Sequence, residues 1–132
     1  MTAISSPASR QSVQSRALLV DAVGSGATGL LLAAGNAALA EPLGISSGWL
    51  LGLGIFMLAY AAELAVVARM LPRTAGWVRR IGLANGGWVL ASVGAVVLGA
   101  WDLTGLGVAV VLAQAAVVAG FVAMQLRATP TA

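Results

Sequence analysis

The sequence predicts an all-α protein: a bundle of four transmembrane helices running up-down-up-down, with both termini on the cytoplasmic side. Three observations predict it. Of 132 residues, 60% are hydrophobic and only 8% charged, where a soluble domain carries about a quarter of its residues charged. The mean hydropathy is +0.98, and four apolar segments reach the roughly 20 residues needed to cross a hydrocarbon core. All seven basic residues are Arg, and they gather at the ends of those segments. They read as topology signals, so the net charge of +3 implies no nucleic-acid partner.

Residues 1–15 are rich in Ser, carry Pro7 and lack periodicity, so a disordered cytoplasmic tail is expected. The first span is 17–40. It ends at Glu41-Pro42-Leu43-Gly44-Ile45-Ser46-Ser47, a turn built from Pro, Gly and Ser. Ala38-Leu39-Ala40 resembles a signal-peptidase site, but the apolar stretch is long for a signal peptide and contains Asp21. The second span, 48–70, runs into a basic loop, 71–80. The third, 81–101, meets the fourth, 103–126, across so tight a break at Asp102 that an antiparallel hairpin is expected. A short tail, 128–132, follows.

The charges sort by side. Arg10 and Arg16 precede the first span, Arg69, Arg73, Arg79 and Arg80 surround the second break, and Arg127 follows the fourth span. The other two breaks hold only Glu41 and Asp102. Under the positive-inside rule the chain is a multi-pass protein of the cell (inner) membrane. Trp49, Trp77 and Trp101 sit where interfacial anchors belong. Abundant Ala, Gly, Val and Arg without Lys fit a GC-rich bacterial genome.

Several chemistries are excluded. With no Cys and no His, there are no disulfides, thiolate nucleophiles, His-ligated haem or His-based proton transfer. No nucleophile–base pair stands out, so no catalytic, cofactor-binding or metal-binding residues are assigned.

Helical projection gives each span one polar or aromatic stripe, expected to turn inward or toward a partner subunit. On the first it is Asp21, Gly24, Ser25, Thr28, Gly35 and Asn36. On the second it is Trp49, Gly52, Phe56, Tyr60, Glu63 and Val67. Asn85, Trp88, Ser92 and Gly99 form the third, and Gln114, Val118, Phe121 and Gln125 the fourth. Small residues at i and i+4 (Ser25/Gly29, Gly48/Gly52, Gly82/Gly86, Gly87/Ala91) offer close helix contacts.

Depth sharpens the picture. Asp21, Glu63 and Asn85 each lie roughly 7–9 Å inside the nearest Arg marker, at 1.5 Å per residue. With Gln125 slightly nearer the surface, they form a candidate intramembrane polar layer. Either the layer fixes the bundle's register by joining neighbouring Arg and hydroxyl groups, or two carboxylates sharing one low-dielectric site hold a coupling proton or cation. Phe56, Tyr60, Trp88 and Gln114 are candidate ligand-lining residues. There is also a two-fold echo. Arg16 precedes Asp21 as Arg80 precedes Asn85, and Glu41-x-Leu43-Gly44 matches Asp102-x-Thr104-Gly105, as in a parallel repeat about the membrane normal.

Three segments carry a resemblance: Arg16-Ala17-Leu18-Leu19-Val20-Asp21, Ala84-Asn85-Gly86-Gly87-Trp88 and Gln114-Ala115-Ala116. On them the chain resembles the uncharacterised small four-helix integral membrane proteins of bacteria, a likeness that implies a fold and no activity. It is distantly similar to small multidrug resistance exporters, which carry an acid in the first span. Asp21 is the only candidate for that role, but it is Asp rather than Glu and lies closer to the cytoplasm, and Glu63 is foreign to the pattern, so no residue is carried over. Fluoride-channel proteins are similar in size, but their Asn-x-x-Gly and Phe-Thr-Thr-Phe signatures are missing.

Three functional readings follow. The leading one is a non-enzymatic accessory or scaffold bundle, with Asp21 and Glu63 each paired to Arg. The second is a small proton- or cation-coupled transporter using Asp21 and Glu63 as a homo-oligomer. The third is a lipid- or quinone-binding membrane enzyme built around Tyr60, Glu63 and Trp88. Expected partners are membrane lipids and either further copies of the chain or a larger membrane complex.

Overall fold

A computed structural model describes residues 6–129. It contains four long α-helices: α1 (Pro7–Leu43), α2 (Ser47–Arg69), α3 (Ala75–Leu98) and α4 (Gly105–Arg127). All four are long and apolar enough to cross a membrane. Large apolar side chains cover their outer faces, Val23 being 72% exposed, Leu90 76% and Leu98 85%. Water is a poor solvent for such a wall and hydrocarbon a good one.

Local chemistry sets the ends. Ser6 caps α1 by accepting from the Ser9 N–H, and Pro7 occupies the first turn, where its missing N–H costs nothing. The helix therefore starts well before the disordered tail predicted over 1–15 would end; residues 1–5 of that tail lie outside the described residues. Tertiary contact holds the extension: the buried Gln14 carboxamide donates to the Ala128 carbonyl at 3.2 Å, tying the start of α1 to the end of α4. At 37 residues, α1 is about 55 Å long and outruns the hydrocarbon core.

The second break is also shorter than expected. Most of the basic loop is helical, with α3 starting at Ala75, so Arg79 and Arg80 ride on its first turns. Conversely, the third break opens out between Gly99 and Thr104 rather than pinching at Asp102. Gly99 ends α3 at φ 66, as Gly44 ends α1 at φ 72. Both conformations are left-handed, which glycine adopts without a Cβ penalty.

These two turns clasp each other. The Thr104 N–H donates to the Leu43 carbonyl (3.3 Å), and the Thr104 hydroxyl donates to the Pro42 carbonyl (2.5 Å) while capping α4. So close is the approach that a Cβ on Gly107 would collide with the Leu43 carbonyl oxygen. The positions of the two-fold echo thus meet at this end of the bundle.

The helices pack as α1 against α2 and α3 against α4, with α1 joining the two pairs through α4 and, more lightly, α3. Small residues set the α1–α2 crossing: a Cβ on Gly54 would fall 2.5 Å from the Ala33 nitrogen and 2.7 Å from the Gly29 oxygen. Of the expected small pairs, Gly29 and Gly82 meet neighbours, whereas Gly48, Gly52, Gly86 and Gly87 face open space. Two apolar clusters close the ends. Leu18, Leu64, Val67, Leu71, Val78 and Ile81 fill the Arg-rich end, and Leu43, Ile45 and Leu50 the acidic end. The polar side chains lie between them.

Candidate functional site

Asp21 sits one turn into the apolar part of α1 and is 1% exposed. Its Oδ1 accepts from the Ser25 hydroxyl at 2.9 Å. Its Oδ2 accepts from the Asn85 carboxamide at 2.7 Å and the Gln125 carboxamide at 2.5 Å. The Asn85 Nδ2 also donates to Gln125 Oε1 at 2.9 Å, and the Tyr60 hydroxyl donates to Asn85 Oδ1 at 2.9 Å. One carboxylate thus gathers side chains from all four helices. Every donor in the group points toward Asp21 or feeds a side chain that does, and both Asn85 and Gln125 are buried. Among the described residues no buried side-chain polar atom lacks a partner. An unpaired polar group in this setting would cost several kcal/mol.

Placement of the predicted layer is mixed. Asp21, Asn85 and Gln125 come together, and Tyr60, read from sequence as ligand-lining, joins them. Asp21 is bonded to a hydroxyl and two carboxamides, not to the Arg partner expected of it. Glu63 is not in this cluster. It is exposed and lines a crevice between α2 and α3 together with Arg80. The cause is the rotation of α2, whose buried line is Leu50, Gly54, Leu64 and Val67, facing α1. Of its predicted stripe only Val67 is buried and Tyr60 half-buried, while Trp49 and Phe56 are exposed. The two acids therefore do not share one site.

A second polar group lies toward the acidic end. The Trp88 indole N–H donates to Gln114 Oε1 at 3.0 Å, and Gln114 Nε2 donates to the Ser92 hydroxyl at 2.9 Å. Phe56 stacks on Trp88 with centroids 6.0 Å apart, bridging α2 to α3.

Three cavities lie along the bundle, two of them lined by all four helices and the third by α2 and α3 alone. Toward the acidic end, one of about 220 Å³ is walled by Trp49, Met57, Trp88, Trp101 and Gln114. The middle one, about 90 Å³, is lined by Ser25, Met57, Tyr60, Asn85 and Trp88. Near the Arg-rich end, one of about 400 Å³ lies between Tyr60, Glu63, Trp77 and Arg80. Phe56, Tyr60, Trp88 and Gln114 all line cavity walls, and Asp21 lines none of these three. The missed residues, Trp77 and Arg80, left a signal in the sequence: three residues apart on a helix, they share a face.

Neither protein-family models, curated proteins nor solved structures match this chain.

Proposed function

We propose that the chain is a multi-pass protein of the inner membrane with both termini in the cytoplasm, serving as a non-enzymatic accessory or scaffold bundle. The observation that carries this reading is the sealed state of Asp21. Its carboxylate is bonded on both oxygens, it touches none of the three cavities, and its bonds tie α1, α3 and α4 together. A coupling carboxylate must be reached by its ion; this one is used as a joint. With Glu63 elsewhere, the paired-acid mechanism loses its second member.

The orientation rests on charge. The Arg residues gather at one end of the bundle, Glu41 and Asp102 at the other, and basic ends stay cytoplasmic. Because the chain has no Cys, single cysteines report the side directly. Ser46→Cys is expected to react with an impermeant maleimide on spheroplasts, and Arg73→Cys only after permeabilisation. The opposite pattern overturns the orientation.

One observation favours the transporter reading. The middle cavity touches Ser25 and Asn85, each hydrogen-bonded to Asp21, and shares walls with the cavities on either side. Proteoliposomes holding a pH-sensitive dye decide between the two. Under an imposed potential, the scaffold reading expects the same proton leak with wild-type protein, with Asp21→Asn and with no protein. A wild-type flux that Asp21→Asn abolishes, with helicity retained, replaces it with the transporter.

A further inference from the structure

We propose that the crevice between α2 and α3 at the Arg-rich end holds the headgroup of a zwitterionic phospholipid bearing a primary ammonium, phosphatidylethanolamine in a bacterial membrane, with its phosphate on Arg80 and its ammonium on Glu63.

The crevice, about 400 Å³, is built by Phe56, Tyr60 and Glu63 of α2 and by Trp77, Arg80 and Ala84 of α3. Its size falls within the usual range for small-molecule sites. These two helices are consecutive in the chain yet only lightly packed, so the space between them opens sideways, where lipid is the neighbour. Its polarity runs one way. The Tyr60–Asn85 hydrogen bond marks a common level on the two helices. From that level, Glu63 lies about 4.5 Å and Arg80 about 7.5 Å toward the Arg-rich end, at 1.5 Å per residue. Phe56 lies about 6 Å the other way, and Ala84 stands close to the level itself. One end of the crevice is charged and the other apolar, as a lipid is.

The charges select the headgroup. A carboxylate facing hydrocarbon is costly without a counter-charge, and as an acceptor-only group it also needs hydrogen-bond donors. A primary ammonium supplies both; a quaternary ammonium supplies only charge. Arg80 is preset for phosphate. Its guanidinium carbon lies 5.1 Å from the centre of the Trp77 ring, so one face is occupied by the indole while the N–H donors along its edge stay available for a bidentate grip. An anionic lipid would satisfy Arg80 and leave Glu63 repelled.

Trp77 reports occupancy. The full-length protein is reconstituted in phosphatidylcholine vesicles doped, at equal mole fraction, with acyl-brominated phosphatidylethanolamine, phosphatidylglycerol or phosphatidylcholine. The Trp77 signal is the emission lost in Trp77→Phe. Brominated phosphatidylethanolamine is expected to quench it about threefold more than either competitor, the scale of one exposed ion pair. Glu63→Gln is expected to erase the preference over phosphatidylglycerol, and Arg80→Gln to weaken quenching by phosphatidylethanolamine. Both side chains border open space, and retained helicity checks each fold. Native mass spectrometry of protein extracted from mixed-lipid membranes gives an independent count of retained phosphatidylethanolamine. Equal quenching by the three lipids, a preference for either competitor, or a preference unmoved by Glu63→Gln overturns the assignment.

Discussion

Asp21→Ala is expected to lower the stability of the bundle by about 2–5 kcal/mol. The substitution removes the acceptor on which Gln125 and Asn85 converge. Each buried donor left without a partner costs about 1–3 kcal/mol. Ser25 escapes this penalty, since its hydroxyl can turn to a carbonyl one helical turn back. Gln125, fully buried, has no such recourse. Asp21→Asn is the informative companion. Its carbonyl oxygen keeps both carboxamide donors, and its own N–H2 can donate to the Ser25 oxygen. The expected loss is then about 1 kcal/mol, the net worth of a single hydrogen bond. Helicity during denaturant titration in mixed micelles measures both. If Asp21→Ala unfolds within about 0.5 kcal/mol of wild type, the size of an ordinary surface change, the network does not hold the helices.

Gly54→Val is expected to cost a similar amount for an unrelated reason. At this crossing the Cβ position of Gly54 is already within 2.5–2.9 Å of Ala33 and Gly29 backbone atoms. Backbone cannot swing aside as a side chain can, so the helices must part. Overpacking costs about 1–3 kcal/mol, and valine adds two further carbons to the clash. Parting α1 from α2 also forfeits the dispersion contacts that hold membrane helices together where hydrophobic exclusion from water is absent. Gly52→Val is the control, since nothing lies within 4 Å of a Cβ there. The same titration should find it within about 0.5 kcal/mol of wild type. Equal losses at the two glycines would remove the crossing's special role.

The number, order and approximate extent of the helices were legible along the chain, because crossing length and hydropathy are properties of consecutive residues. So was the company of Asp21, Asn85 and Gln125, since polar groups in apolar helices have few alternatives to one another. The start of α1 was not. Ser6 and Pro7 carry a helix-start signal, but the following turns are polar, and their contact partner Ala128 lies at the far end of the sequence. Trp77 and Arg80 were hidden by the assignment of 71–80 to a loop.

What the residue order sets, then, is how many apolar helices form, where they turn, and which polar side chains stand at matching depths. What three-dimensional packing sets is the rotation of each helix about its own axis, and α2 shows the difference. Its aromatic and acidic stripe had the better claim to the interior on polarity. Leu50, Gly54 and Leu64 took the place instead, because Gly54 lets the backbone of α2 approach α1. Hydrocarbon rewards close contact between helices more than it ranks one apolar face above another. Whether two backbones can approach depends on both surfaces at once, so Glu63 was left to the crevice and Asp21 to the core.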